Sequence, residues 1–267
     1  MERCGWKISI SSQYLKEKTC GNSPFPPLSE RGGITESGDT MQDERIIFDG
    51  IYLIGGPNIS YSEDATAFIV DCGDELVMID SGAGRSVKIL EKNIRELGLD
   101  PQKVSTLILT HCHIDHIGGA PYFKKHFNCK LAAHELDAEA IATGDPALTA
   151  ASFYGTSFPP TAVDIILTSD QVTLTFGNQK IHCLHIPGHT PGSIAPYLDR
   201  AGKRILFGQD IHGPFSKNFR SDLGQWKTSM NKLLSLKGDI LCEGHFGIFQ
   251  PNERVESYIR KYLEEYS

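Results

Sequence analysis

"THCHIDHIGG", residues 110–119, decides how this chain is read. Three histidines and an aspartate (His111, His113, Asp115 and His116) fall within six residues, in a protein with only ten histidines among 267 residues. Imidazole nitrogens and carboxylate oxygens are the side-chain atoms that hold a transition-metal ion where no thiolate is offered. The run "VSTLILT" before them reads as a buried strand, so the cluster begins where a strand ends, the usual place for a site on an α/β scaffold. If the strand continues through His113, residues 111 and 113 point to one side and Cys112 to the other. Asp115 and His116 then lie past its end, where Gly118 and Gly119 let the backbone turn into the next helix.

Working outward, the same arrangement recurs, with a polar residue set directly after an apolar run. "MIDSG" ends on Asp80, "IPGHTPGS" holds His189 between two Pro-Gly pairs, "ILFGQD" ends on Asp210 and "LCEGHFG" carries His245. Singly each is an ordinary capping or loop residue; together they form a constellation of candidate ligands at the edge of a core. Apolar stretches at 45–54, 65–72 and 75–80 read as strands, the last two joined by "CGDE", which predicts an antiparallel sheet. Val87, Leu90, Ile94 and Leu97 recur at spacings of three and four, an amphipathic helix closed by Gly98. A helix over 119–127, the strand "KLAAH" and a helix at 135–143 follow. After a looser stretch at 152–163, strands are expected at 171–176, 179–186, 192–198 and 203–207. A helix over 222–236, the strand "DILCEG" and a helix from Pro251 complete the chain, suggesting two similar halves without a residue-level repeat.

Composition narrows the function. With 40% hydrophobic and 22% charged residues this is ordinary globular material, and its longest apolar runs are strand-sized, far below the roughly 18 residues of a membrane span. A formal charge of −7 without any block of Lys and Arg argues against a nucleic-acid surface or a membrane patch and favours a small-molecule substrate. Seven cysteines, an odd number without a CxxC pair, and an N-terminus without an apolar leader imply reduced thiols and a cytoplasmic location. Residues 1–40 read as an extension or linker ahead of a catalytic domain at 41–267, since "CGNSPFPPLSERGGITESGD" is dense in Gly, Pro and Ser. Translation from Met41, or an arm built on "WKISISSQYL" that covers a sheet edge or a partner subunit, are the other readings. Oligomeric state is left open, a homodimer included.

The ordered series "DSG", "THCHIDH", "PGHTPGS", "GQD" and "EGH" resembles the metallo-β-lactamase superfamily, over roughly residues 45–267. The resemblance implies an α/β fold, an αββα sandwich of two mixed β-sheets flanked by helices, with the site along one edge. It implies that His111, His113 and His189 hold one metal ion, that Asp115, His116 and His245 hold a second, and that Asp210 bridges them. Asp80 would orient the loop that carries the histidines. Two Zn²⁺ ions suit this nitrogen and oxygen set, with Fe or Mn as alternatives. A bound ion lowers the pKa of water from about 15.7 to about 7, so a metal-bound hydroxide would attack a carbonyl while Asp115 or a metal-bound water handles the proton. His212, two residues after Asp210, is a further catalytic candidate that orients substrate or relays a proton; the plainer reading packs it on the following loop. Phe153, Tyr154 and Phe158 are either an apolar wall of the site or core residues of a long crossover.

Branches of the superfamily differ at these positions. An aspartate at 210 departs from the usual β-lactamase pattern, His113 departs from the flavodiiron "HxExDH", and an acidic chain lacks the basic clamp of ribonuclease Z-like nucleases. Glyoxalase II shares "THCHIDH" and "PGHTPGS" but carries a helical domain after the site, where only one helix follows His245 here. The lactonases place a tyrosine three residues past the bridging aspartate, a position held here by Gly213. Elimination leaves a dinuclear, zinc-dependent hydrolase of a small ester, lactone or thioester. Kept beside it are a mononuclear iron persulfide dioxygenase, a phosphodiesterase or nuclease of the same superfamily, and a non-catalytic scaffold. The scaffold reading predicts gaps in the ligand set, and all seven positions are filled.

Overall fold

The computed structural model describes residues 43–267; the extension or linker read at 1–40 lies outside the described residues. The apolar stretch 45–54, read as one strand, is a hairpin of β1 (Ile46–Phe48) and β2 (Ile51–Gly55), with Phe48 paired to Ile51. Asp49 and Gly50 form its turn, Gly50 at φ 67°, the positive φ that an Asp-Gly pair supplies in a tight hairpin. β3 (Ala67–Asp71) and β4 (Leu76–Ile79) extend the antiparallel sheet.

Beyond β4 the sheet becomes parallel. Helix α1 (Val87–Glu96) carries the chain to β5 (Val104–Ile108), α2 (Ile114–Ile117) and α3 (Ala120–Phe127) to β6 (Lys130–His134), and α4 (Glu135–Thr143) to β7 (Ile165–Leu167). Parallel neighbours need such crossovers, and the helices cover one sheet face. The second sheet is an antiparallel meander of β8 (Gln171–Phe176), β9 (Gln179–His185), β10 (Ile194–Arg200) and β11 (Lys203–Gln209). Helix α5 (Leu223–Ser235) then brings β12 (Ile240–Glu243) parallel to β11, and β13 (Ile248–Phe249) leads into α6 (Asn252–Glu265). Strand order is 1-2-3-4-5-6-7 in one sheet and 13-12-11-10-9-8 in the other. Both sheets are mixed; the antiparallel expectation for 45–80 holds across β1 to β4, and the parallel pairings begin at β5 in one sheet and at β12 in the other.

Side-chain alternation sets four layers. On β4, Val77 and Ile79 join Ile205 and Phe207 of β11 between the sheets, while Leu76 and Met78 face Leu90 and Ile94 of α1. Leu206 of β11 turns outward onto Trp226 and Met230 of α5. Phe68 meets Phe207 edge-on across the sandwich, ring centroids 5.3 Å apart. Each such buried side chain is worth roughly 1.5–3 kcal/mol. The layers are helix, sheet, sheet, helix.

At one edge the sheets are tied directly. Ile194 N–H bonds Thr110 O at 2.8 Å, and Thr66 bonds Gly244 O through its N–H (2.8 Å) and Glu243 O through its hydroxyl (2.7 Å). The loops after β4, β5, β9, β11 and β12 carry Asp80, the histidine motif, His189, Asp210 and His245. One expectation fails here: β5 stops at Ile108, so His111 and His113 stand in a loop beyond the strand and owe nothing to strand alternation.

Candidate metal centre

Asp80 takes the chain off the sheet. Leu109 N–H still bonds Ala132 O (2.9 Å), but Thr110 turns its N–H to Asp80 Oδ1 (2.8 Å) and its hydroxyl to Oδ2 (2.7 Å). Asp80 itself sits at φ 56°, a left-handed conformation that aspartate tolerates better than most residues. Its Oδ2 also accepts from His116 Nδ1 at 2.7 Å, and Thr110 Oγ1 lies 3.2 Å from His111 Nδ1. One buried carboxylate thereby orients two imidazoles through the nitrogens that face away from the cluster. Gly118 and Gly119 are right-handed (φ −56° and −81°), which any residue adopts, so the turn does not require them. Close packing does: a Cβ on Gly118 would stand 2.2 Å from Ala83 C, and one on Gly119 2.4 Å from Ser81 O.

The seven residues assemble into two groups with ligand atoms within 4.8 Å of one another: His111, His113, His189 and Asp210, and Asp115, His116, His245 and Asp210. Asp210 belongs to both. Its Oδ2 lies 3.4 Å from His189 Nε2, while its Oδ1 lies 3.0 Å from His116 Nε2 and 3.3 Å from His245 Nε2. His245 Nε2 is also 3.3 Å from Asp115 Oδ2, and His113 Nδ1 stands 2.9 Å from His189 Nε2. All are buried except His245, which is partly so.

Charge separates the groups. Burial, then repulsion from neighbouring imidazoles, holds His111 and His189 well below the usual 6.5. Burial brings His113 down to about 4 against the pull of Asp115 and Asp210. Burial acts the same way on the other group but is overcome: Asp210 and Asp80 hold His116 well above 6.5, and Asp210 and Asp115 raise His245 to about 10. Asp115 and Asp210 resist burial in turn and stay below the usual carboxylate range, because His245 and His116 face them.

The cluster also holds unspent polar atoms. His111 Nε2, His113 Nε2, His116 Nε2, His189 Nδ1 and Asp210 Oδ1 are buried without a hydrogen-bond partner; His116 Nε2 and Asp210 Oδ1 are near one another but not aligned as donor and acceptor. Leaving a buried polar group unpaired costs on the order of 1–3 kcal/mol. Orphaned nitrogens and a carboxylate oxygen gathered in one place are a donor set that fits divalent cations.

Cys112 faces away as expected, for a different reason. Its N–H bonds Asp137 Oδ2 (3.0 Å), its thiol donates to Leu148 O (3.2 Å), and burial holds the thiol well above 9. His212 packs on Phe246, in the loop after β12 (4.6 Å between ring centroids), and borders the His245 ring at 5.3 Å. Its Nδ1 is 2.9 Å from Glu243 Oε1, while Glu243 Oε2 accepts the N–H groups of His245 (2.7 Å) and Phe246 (2.8 Å). The aromatic trio divides: Phe158 is buried in the helix-facing core, Phe153 is 51% exposed, and Tyr154 Oη donates to Asp115 Oδ2 at 2.8 Å. Sequence reasoning missed Asp137 and Glu243. Glu243 had a signal, a carboxylate closing the apolar run "DILCE"; Asp137 reads as an ordinary acid in the first turn of a helix.

Residues 63–245 match the model of the metallo-beta-lactamase superfamily, a span that contains every candidate ligand. The chain belongs to the metallo-beta-lactamase superfamily. A metallo-beta-lactamase from Cronobacter sakazakii, a HARLDQ-motif mutant, superposes with a TM-score of 0.71 at 21% identity, over 82% of this chain and 93% of that one. The class B3 di-zinc metallo-beta-lactamase LRA-12 from an Alaskan soil metagenome does so with 0.68 at 23%, over 81% and 90%. These likenesses establish the superfamily's αββα fold. Hydroxyacylglutathione hydrolase GloC of Haemophilus influenzae is 30% identical over 204 residues, 67% of this chain and 87% of that protein. Human acyl-coenzyme A thioesterase MBLAC2 is 27% identical over 190 residues, 61% of this chain and 63% of that protein's length. The chain is a hydrolase of this superfamily. Among the described residues no helix is long and apolar enough to cross a membrane.

Proposed function

We propose that the chain is a dinuclear metal-dependent hydrolase of a thioester, within the wider class of small esters and lactones. The observation that carries this reading is Asp210, which turns one carboxylate oxygen to each ligand group. His111, His113 and His189 would hold one ion, Asp115, His116 and His245 the other, Asp210 both, with Asp80 orienting His116. Nitrogen and oxygen donors without thiolate favour Zn²⁺, as in the di-zinc neighbour, and also accept Fe or Mn. When bound, such a pair polarises a carbonyl and provides a nucleophilic water near neutral pH.

The chain's own residues do the rest. Asp115, whose Oδ2 accepts from the Tyr154 hydroxyl, takes the proton released as the tetrahedral centre forms. His212, fixed at Nδ1 by Glu243, borders His245 and orients the substrate. A thiolate is a good leaving group because the pKa of its thiol is only about 8.5, so no strong acid has to protonate it first. Thioesters are favoured because the names of both curated relatives denote thioester hydrolases. The alignment with GloC covers 87% of that protein, so a long extra domain is not what marks a glutathione thioesterase, and elimination on that ground loses its force.

Metal analysis of the purified protein, followed by thioester, lactone and phosphodiester panels, tests the reading. Two ions per chain and thioester turnover that disappears in Asp210→Ala are expected. Turnover confined to phosphodiesters, or one iron per chain with oxygen consumed in the presence of a persulfide, overturns it.

A further inference from the structure

Asp137 stands in the first turn of α4, 2% exposed, and belongs to neither ligand group. Its two oxygens receive three donors from two separate loops. Oδ2 accepts from the Cys112 N–H (3.0 Å) and the Thr190 hydroxyl (2.7 Å), and Oδ1 accepts from the Gly192 N–H (2.8 Å). Cys112 lies between His111 and His113, and Thr190 directly follows His189. Every ligand contributed by histidine to the first group is therefore adjacent in sequence to a residue bonded by this one carboxylate.

The fit between the loops is close. A Cβ on Gly192 would stand 2.5 Å from Asp137 Cγ and 2.6 Å from Asp137 N, so only glycine lets the 189–192 loop approach α4 this nearly. Thr190 is fixed further by Ser193, whose Oγ accepts the Thr190 N–H at 3.0 Å and lies 2.9 Å from Thr190 Oγ1. Asp80 shows a different division of labour, reaching His116 of the second group directly through Nδ1.

We infer that Asp137 is the positioning residue of the first ligand group, holding the 111–113 turn and the 189–192 loop in one register so that His111, His113 and His189 converge. The inference rests on the reading that this group holds a metal ion. Asparagine cannot replace the carboxylate: whichever way the amide sits, its NH₂ meets at least one N–H that now finds an acceptor.

The test is a Co²⁺ titration of the chelator-stripped full chain, followed by its ligand-field absorption and by competition with a chromophoric chelator. His189→Ala and His245→Ala assign the two binding events of the wild type to the two groups. In Asp137→Asn the event of the first group should weaken by about 10–100-fold, the usual cost of losing an outer partner, while the other changes by less than about threefold. Thr190→Val, which removes one donor and leaves the carboxylate in place, should weaken the same event by a smaller factor. Equal weakening of both events marks a merely structural role and overturns the inference, as does wild-type affinity in Asp137→Asn. If Asp137→Asn does not fold, Thr190→Val decides: selective weakening supports the inference and unchanged affinity overturns it. A wild type that binds no ion overturns the dinuclear reading and this inference with it; a single ion overturns the dinuclear reading, and overturns the inference as well if His189→Ala leaves that ion bound.

Discussion

The two candidate ligand groups share Asp210 and are buried but for His245, yet the histidines of one are uncharged and those of the other carry protons. Around His111, His113 and His189 burial and mutual repulsion leave uncharged imidazoles, with His113 down at about 4 and the other two well below 6.5. Around His116 and His245 the same burial is outweighed by Asp80, Asp115 and Asp210, and His245 keeps its proton up to about 10. One group therefore meets a cation with lone pairs already free, while the other must first give up protons. The difference comes from where the carboxylates lie: Asp80, Asp115 and Asp210 all face the second group, while in the first Asp115 and Asp210 pull on His113 without overcoming its burial.

The largest effect expected is from Asp210→Ala, which removes the one residue common to both groups. Both binding events should weaken by more than about 100-fold, beyond the 10–100-fold cost of an outer partner, and turnover should vanish. Retention of either event at wild-type affinity would show that the groups are independent and break the comparison. Asp80→Ala comes next, with about 10–100-fold weakening at the second group, where His116 loses the partner at its Nδ1, and a smaller loss at the first, where His111 is reached only through Thr110. Equal damage to the first group in a Co²⁺ titration would mean that the Thr110 contacts matter more than the His116 bond.

A pH series sharpens the contrast. Between pH 6.5 and 8, affinity at the second group should rise by about tenfold per unit for each proton displaced, and affinity at the first group should stay nearly flat. The metal-free chain carries the same signature in its stability. His245 holds its proton up to about 10 when folded but only to about 6.5 when unfolded, so its contribution is complete below 6.5 and is lost as pH rises through about 10. The melting temperature of the chelated protein should fall across that window; a rise there would contradict the assigned charges. The smallest effect is expected from Cys112→Ser, where the hydroxyl can keep the bond to Leu148 O and the Asp137 bond uses only the backbone. Both ions should be retained, with stability within about 1–2 kcal/mol of the wild type. Loss of metal in this variant would give the side chain a role that its direction denies.

Much of this was legible because the seven candidate ligands are chemically distinctive and each follows an apolar run. What could not be read are the residues that act through others. Asp137 looks like any acid in the first turn of a helix, and Glu243 like the end of a strand, until three N–H or hydroxyl donors are seen to converge on the first and His212 on the second. Tyr154 sits in a stretch without periodicity, and nothing local tells that its hydroxyl meets Asp115 while Phe158, four residues on, enters the core.

By itself the sequence determined most of the order of strands and helices, though not the β1–β2 turn or the short strands β7 and β13, together with the candidate ligands and the family to which that order belongs, because hydrophobic period and side-chain chemistry are local properties. Tertiary structure decided where β5 stops, why Cys112 turns away, and why Gly118 and Gly119 must be small. It also decided which histidines keep protons. Each of these depends on atoms brought from distant parts of the chain, a carboxylate at residue 80 or 137 or a backbone at 81–84, whose distance from the motif is set by two sheets packing face to face.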